Sequence, residues 1–177
     1  MDQKTFILVS IILIVVGATV YFIVSGQRPF SPVNSFEECV AVGHPVMESY
    51  PRQCRAKDKT FTEYIGNELE KMDLIRINSP RPNQLIQSPL VIEGEARGYW
   101  FFEADFPVRL YDDKGQELGT AIAHALSEWM TEDFIGFQVE LNFSIPVGEK
   151  GTLVLEKDNP SGLQEYADEL LVPVRFR

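Results

Sequence analysis

The chain begins with one long apolar run and later changes to alternating apolar and polar positions. The run, residues 6–24, contains no charged side chain. Nineteen helical residues rise about 1.5 Å each, which brings them close to the ~30 Å hydrocarbon core of a bilayer. The pattern predicts a transmembrane helix over 6–24, preceded by a short cytoplasmic tip at residues 1–5.

A cleaved signal peptide is the alternative interpretation of this run. The apolar part of such a peptide is usually about 7–15 residues long and ends at a small-residue cleavage site. The run here is longer, and Ser25, Gly26 and Gln27 fit such a site poorly. We therefore predict an uncleaved single-pass anchor in the cell membrane, with the C-terminal part of the chain on the extracytoplasmic side.

From residue 74 onward, apolar side chains recur at every second position. Alternation of this kind is typical of a strand that buries one face. The alternating runs are 75–77, 90–97, 106–111, 138–145, 153–155 and 172–176. Turn-forming residues separate them at 112–115, 148–151 and 159–162. About seven short strands in about 100 residues predict an all-β antiparallel sandwich over residues 74–177.

Residues 117–131 fit two patterns. Apolar side chains fall there at helical spacing, namely Leu118, Ile122, Ala125, Leu126, Trp129 and Met130. The same segment also reads as a strand, with residues 118, 120, 122 and 124 on one face and Ala121 and Ala123 on the other. Periodicity alone slightly favours the helix.

Two cysteines, Cys39 and Cys54, lie in a segment with little apolar periodicity, residues 36–65. Polar stretches at 25–35 and 66–73 are predicted linkers on either side of it. In an oxidising compartment such a pair most simply forms a disulfide, which would stabilise the segment by about 3 kcal/mol. A zinc site would need two further ligands and only His44 is near, while a redox site would favour C-x-x-C.

The acidic composition excludes one class of partner. The net charge is −10 and is spread along the chain. Such a surface repels phosphate backbones, so no nucleic acid partner is expected.

Catalytic and metal-binding patterns are weak. The two histidines, His44 and His124, lie in different segments, and Ser161 sits in a turn rather than in a G-x-S-x-G elbow. The acidic pair Asp112 and Asp113 fits a hairpin turn better than a calcium loop. We therefore predict no catalytic residue, no metal site and no cofactor.

One segment suggests binding. Four consecutive aromatic residues, 99–102, cannot all enter one core from a strand, because neighbouring side chains point to opposite faces. Exposed aromatic side chains are common at recognition surfaces, so Tyr99 and Trp100, with Glu103, are candidate ligand-binding residues. The interpretation that we favour places Trp100 and Phe102 in the sandwich core, with Tyr99 and Phe101 packed under a loop or under the cysteine-containing segment.

Four sequence landmarks in residues 74–177 resemble a known family. They are NSPRPNQLIQSPLVIEGEARGYWFFEADFPVRLYDDKG, EWMTEDF, GTLVLEKDNPSG and LLVPVRF. They are similar to the immunoglobulin-like domain of bacterial spore germination, a β-sandwich of envelope proteins without established catalytic residues. The resemblance implies an immunoglobulin-like sandwich with a strand at 117–131. The upstream FEECVAVGHPVMESYPRQC resembles a short cysteine-containing segment that precedes such domains in some bacterial proteins.

Together, these features predict a membrane-anchored, extracytoplasmic module of the bacterial cell envelope that is not an enzyme. Its expected role is binding or accessory, through contact with a partner protein or with cell-wall glycan. Two alternatives stay open: a membrane-anchored hydrolase with an unrecognised site, and a purely structural stalk.

Overall fold

A computed structural model describes residues 33–144, 146 and 148–176. The predicted transmembrane helix, 6–24, and most of the first predicted linker lie outside the described residues. Within the described ranges, no helix is both long enough and apolar enough to cross a membrane.

The chain divides into two compact units, and the described part of the first comprises residues 33–48 and 53–61. A short helix, α1 (Phe36–Ala41), precedes a small sheet of three strands, which are β1 (Val46–Met47), β2 (Gln53–Ala56) and β3 (Lys59–Thr62). The hydroxyl of Ser35 accepts a hydrogen bond from the backbone N–H of Glu38 and so caps α1.

The predicted disulfide is present in this unit. Cys39 of α1 is bonded to Cys54 of β2, and both residues are fully buried. Phe36 and Ala56 pack with them into a small apolar cluster, to which Phe61 adds a partly buried ring. Because so few apolar residues form this cluster, the covalent link is its main constraint.

The second unit comprises residues 49–52 and the described part of 62–177. It contains a four-residue helix, α2 (Glu68–Lys71), within the stretch predicted as the second linker. Seven strands follow: β4 (Ile75–Ser79), β5 (Leu90–Arg97), β6 (Asp105–Asp112), β7 (Glu117–Ala125), β8 (Phe134–Leu141), β9 (Lys150–Glu156) and β10 (Glu169–Arg175). Neighbouring strands are antiparallel, in the order β10-β9-β6-β7-β8-β5-β4.

The predicted alternation matches the buried face of these strands. In β5, Ile92, Gly94 and Ala96 are buried while the intervening side chains are not. Phe106 of β6 lies at the centre of the core, with its ring edge-on to Phe137 at a centroid distance of 4.9 Å. The all-β, antiparallel prediction is confirmed, because burying one face of each strand is what the sequence pattern encodes.

The sheet closes on itself through the segment that follows β4. Leu85 forms a parallel bridge with Arg175 of β10. The backbone N–H of Ile86 donates to the carbonyl of Arg175 over 2.8 Å, and the N–H of Arg175 donates to Gln84 over 2.9 Å. The two edges of the seven-strand order are thus linked by one crossing segment, as in a sandwich.

The ambiguous segment 117–131 forms a strand as far as Ala125, and the helical pattern is not realised. β7 pairs with β6 from Glu117 to His124. Ala123 is fully buried while Ile122 is 47% exposed, so the alanine faces the core and the isoleucine faces outward. Leu118 is partly buried and packs against the core. Strand pairing along the whole of β6 therefore outweighs the helical spacing of the apolar residues. Residues 126–131 belong to a loop.

Candidate functional site

Three loops lie together at one end of the sandwich. They are residues 98–104 between β5 and β6, 126–133 between β7 and β8, and 157–168 between β9 and β10. The backbone N–H of Gly98 donates to the carbonyl of Asp133 over 3.2 Å. The backbone N–H of Asp158 donates to the carbonyl of Trp100 over 3.0 Å. The first loop is therefore fixed to both others, and we call the three together the loop end.

Gly98 makes this close approach possible. A Cβ atom at this position would lie 2.0 Å from the carbonyl oxygen of Thr131 and 2.1 Å from that of Trp129. Only glycine can lie this close to the loop at 126–133 without a backbone shift.

The aromatic run forms the first loop and divides by burial. Trp100 and Phe101 are 0% and 3% exposed, whereas Tyr99 and Phe102 are 48% and 42% exposed. The interpretation that placed Phe102 in the core and Tyr99 under a loop is therefore wrong. Its premise was strand alternation, but Gly98–Trp100 is a 3₁₀ turn, in which neighbouring side chains follow a period of about three.

A tight turn ends this loop. The backbones of Phe102 and Asp105 exchange two hydrogen bonds, of 3.0 and 3.1 Å. The two residues between them, Glu103 and Ala104, have φ angles of 52° and 68°. Turns with two left-handed central residues usually contain asparagine or glycine. The backbone that carries the exposed Phe102 and Glu103 is thus held in an uncommon conformation.

The loop end exposes apolar side chains from all three loops. They are Tyr99, Phe102, Leu126, Met130, Leu163 and Tyr166, each between 42% and 73% exposed. In the described part of the opposite loops, residues 80–89, 113–116, 142–144, 146 and 148–149, Leu85 is the one large apolar side chain with comparable exposure. The loop end therefore exposes more large apolar side chains than the described part of the opposite end.

The two ends of the sandwich also differ in net charge. The sequence of the loop end contains seven acidic residues and one lysine: Glu103, Glu128, Glu132, Asp133, Asp158, Glu165, Asp168 and Lys157. The sequence of the opposite loops contains two acidic and two basic residues: Asp113, Glu149, Arg81 and Lys114. Among the described ion pairs, Asp168 is the only one of the seven acids to take part, with Nζ of Lys71 at 2.5 Å. The loop end is therefore an apolar surface within a negative field.

The three residues predicted to bind a ligand all lie in the first loop. Tyr99 and Glu103 are exposed, and the Tyr99 ring centroid lies 6.0 Å from Nζ of Lys157. Trp100 is fully buried and can contribute only by supporting the loop. The sequence interpretation missed Phe102, Leu163 and Tyr166. Large apolar side chains within a turn-rich segment, as at 163 and 166, were the available signal.

One histidine in the described part of the chain contacts a carboxylate. His124 Nδ1 contacts the carboxylate of Asp105, its partner on the neighbouring strand. His124 is in the second unit and His44 in the first. No group of three or more His, Cys, Asp or Glu side chains in the described ranges is arranged to hold a metal ion. Asp112 serves the hairpin turn that was predicted there, since its carboxylate accepts from the backbone N–H groups of Lys114 and Gln116 over 2.9 and 2.8 Å.

Two buried carboxylates, Glu63 and Glu68, lie elsewhere in the second unit. Arg52 donates to both oxygens of Glu63 over 2.7 and 2.6 Å, and this hydrogen bonding lowers the Glu63 pKa. The phenol of Tyr50 donates to Glu68, and its pKa is raised, mainly by burial and then by that hydrogen bond. Arg81 completes the second group with a 2.7 Å ion pair to Glu68. These contacts satisfy buried charge and so are structural.

A family model described as the immunoglobulin-like domain of bacterial spore germination matches residues 74–163, which is half of the chain. The match includes β4 to β9, the first two loops of the loop end and part of the third. No significant match to the chain was found among curated proteins or among solved structures.

Proposed function

Because the chain belongs to the family of the immunoglobulin-like domain of bacterial spore germination, we propose that it is a binding or accessory module of the bacterial cell envelope and not an enzyme. No enzymatic activity is assigned to the domains of this family. The loop end is the proposed contact surface, and a partner protein or cell-wall glycan is the proposed ligand.

An extracytoplasmic position completes the proposal. The uncharged run at 6–24 is long enough to anchor the chain in the cell membrane. The disulfide between Cys39 and Cys54 supports an oxidising compartment for the rest of the chain, since such bonds are rare where thiols are kept reduced. In this arrangement residues 25–177 face the outside.

One observation carries the choice of surface: the loop end exposes six large apolar side chains, while the described opposite loops expose Leu85 alone. Clustered exposed apolar side chains are typical of interaction sites on soluble domains. Tyr99, Phe102 and Tyr166 can each pack against a peptide or a sugar ring. Backbone hydrogen bonds hold the first loop to the other two before binding, which reduces the entropy that the backbone loses on association.

Photocrosslinking in intact cells tests the surface. A photoreactive residue replaces Phe102 or Leu163 in the full chain, and matched variants carry it at Leu85 or Val91, which are 55% and 45% exposed. We expect covalent adducts of one defined mass from the first two positions and not from the controls. Adducts from all four positions alike, or from the controls alone, would exclude the loop end as the contact surface.

The contact between His124 and Asp105 favours a hydrolase as the second candidate function, because a carboxylate can orient an imidazole that acts as a base. The test is hydrolysis of cell-wall fragments, and of general ester and peptide substrates, by the full chain. We expect no turnover above that of His124→Gln. Turnover that disappears in His124→Gln would replace the binding proposal with an enzymatic one.

A further inference from the structure

The charge of the loop end points to the chemistry of its partner. We propose that the loop end binds a protein segment in which lysine or arginine stands beside aromatic or aliphatic side chains. This inference rests on the proposed function, namely that the loop end is the contact surface. It goes further by choosing a protein over a glycan and a cationic surface over a neutral or anionic one.

Acidic residues far outnumber basic residues in the loop end. Seven acidic residues stand against one lysine in its three loops, and Lys71 pairs with one of the seven. The opposite loops of the same sandwich are balanced, so the imbalance is more than the acidity of the chain as a whole. Complementary charge accelerates association and suppresses partners of like charge. Anionic wall polymers and anionic lipid surfaces are therefore disfavoured.

Acidic and apolar residues are close together in the sequence of each loop. Each loop presents both kinds: Phe102 stands beside Glu103, Met130 follows Glu128 by two positions, and Tyr166 follows Glu165 directly. Protein interfaces commonly have an apolar centre with a charged rim. A partner that uses both kinds of side chain needs apolar groups to pack on the aromatic and aliphatic ones and basic groups to pair with the carboxylates.

A neutral glycan would use only part of the loop end. A neutral sugar ring can stack on Tyr99 or Phe102. It has no positive charge to pair with the acidic residues of the loop end, and their carboxylates would remain hydrated. A basic peptide uses both features of the surface. The negative field thus favours a protein segment over a neutral saccharide.

A peptide-display selection tests the inference. The full chain, held in micelles of a non-ionic detergent, selects from a random peptide library, and the bound sequences are read. We expect enrichment of peptides that combine lysine or arginine with aromatic or aliphatic residues. Affinity should fall about tenfold or more in Tyr99→Ala/Phe102→Ala. The matched control Val91→Ala, an exposed apolar residue of β5, should bind as the parent does.

Charge variants separate the electrostatic part from the apolar part. Glu128→Gln/Glu132→Gln should slow association and flatten its dependence on salt, because the attraction is screened over about 10 Å at 0.1 M ionic strength. The control Glu140→Gln, an exposed acid on β8, should leave the rate unchanged.

Two results would overturn the inference in distinguishable ways. Selected peptides that need Tyr99 and Phe102 but lack basic residues, or soluble muropeptides that bind there without salt dependence, would refute the cationic protein partner and leave the loop end as a contact surface. Peptides and crosslinks that ignore the loop end altogether would refute both proposals.

Discussion

Trp100 and Tyr99 are adjacent in the sequence and have opposite environments. Trp100 is fully buried while Tyr99 is 48% exposed. Sequence reasoning could infer that an aromatic run must divide between core and surface, and this is confirmed. It could not say correctly which rings are buried and which are exposed, because this depends on the 3₁₀ turn at Gly98–Trp100. At that turn Gly98 lies close to the loop at 126–133, which is a tertiary contact.

The burial of Trp100 gives the first prediction. Trp100→Ala should lower the free energy of unfolding by about 3–5 kcal/mol, because it leaves a large cavity in the core. Trp100→Phe should cost less than Trp100→Ala, since it retains a ring and removes an indole N–H that is buried without a hydrogen-bond partner among the described residues. Chemical denaturation of the purified chain measures both.

Tyr99→Ala is the matched control and should change the free energy of unfolding by less than about 0.5 kcal/mol. A Trp100→Ala variant as stable as this control would show that Trp100 is not a core residue.

The ion pair of Glu63 gives a prediction on pH. The hydrogen bond from Arg52 lowers the Glu63 pKa in the folded chain. A carboxyl with a lowered folded pKa stabilises the fold above its ordinary pKa, and that contribution is lost as the pH falls through the folded value. Glu63→Gln should therefore be less stable at neutral pH and should lose less stability on acidification.

Denaturation curves recorded from neutral to acidic pH measure this difference. Glu140→Gln, which changes an exposed acid, should retain the pH dependence of the parent chain. An unchanged pH dependence in Glu63→Gln would contradict the assigned role of Arg52.

At the scale of elements, alternation was a sufficient signal wherever one face of a strand is buried, as in β5, β6 and β8. It failed to separate strand from helix in β7, where small alanines face inward and Ile122 faces outward. α2 was missed because four residues are too few for a periodic pattern, and its buried Glu68 is explained only by the tertiary contacts with Tyr50 and Arg81. The pairing of β10 with residues 84–86 is likewise a long-range event that local sequence does not encode.

The disulfide gives the prediction for the first unit. Reduction of the Cys39–Cys54 bond should remove about 3 kcal/mol from the unit's stability, because the unfolded chain gains conformational entropy when the bond no longer closes a loop in it. Hydrogen exchange should then rise across residues 33–48 and 53–61 and stay unchanged in β4 to β10, which contain no cysteine. Both thiols should react with an alkylating reagent only after reduction. Prompt alkylation without reductant would contradict the bond.

At the scale of the whole chain, we propose that residues 6–24 anchor the chain and fix its topology. Protease added outside intact protoplasts should digest residues 25–177, because residues 6–24 are expected to span the membrane with the C-terminal part outside. A cytoplasmic marker protein should survive the same treatment and be digested after permeabilisation. Protection of residues 25–177 until permeabilisation would contradict the proposed location.

We propose above that the loop end contacts a partner in the cell, and this contact can be tested directly. Hydroxyl-radical footprinting compares oxidation of side chains in intact cells with that in the purified chain, and it requires no substitution. We predict that oxidation of Tyr99, Phe102, Met130, Leu163 and Tyr166 falls in cells, while oxidation of Leu85 and Val91, which are similarly exposed, does not change. Equal oxidation of the loop end in both conditions, or a decrease confined to Leu85 and Val91, would contradict the claim.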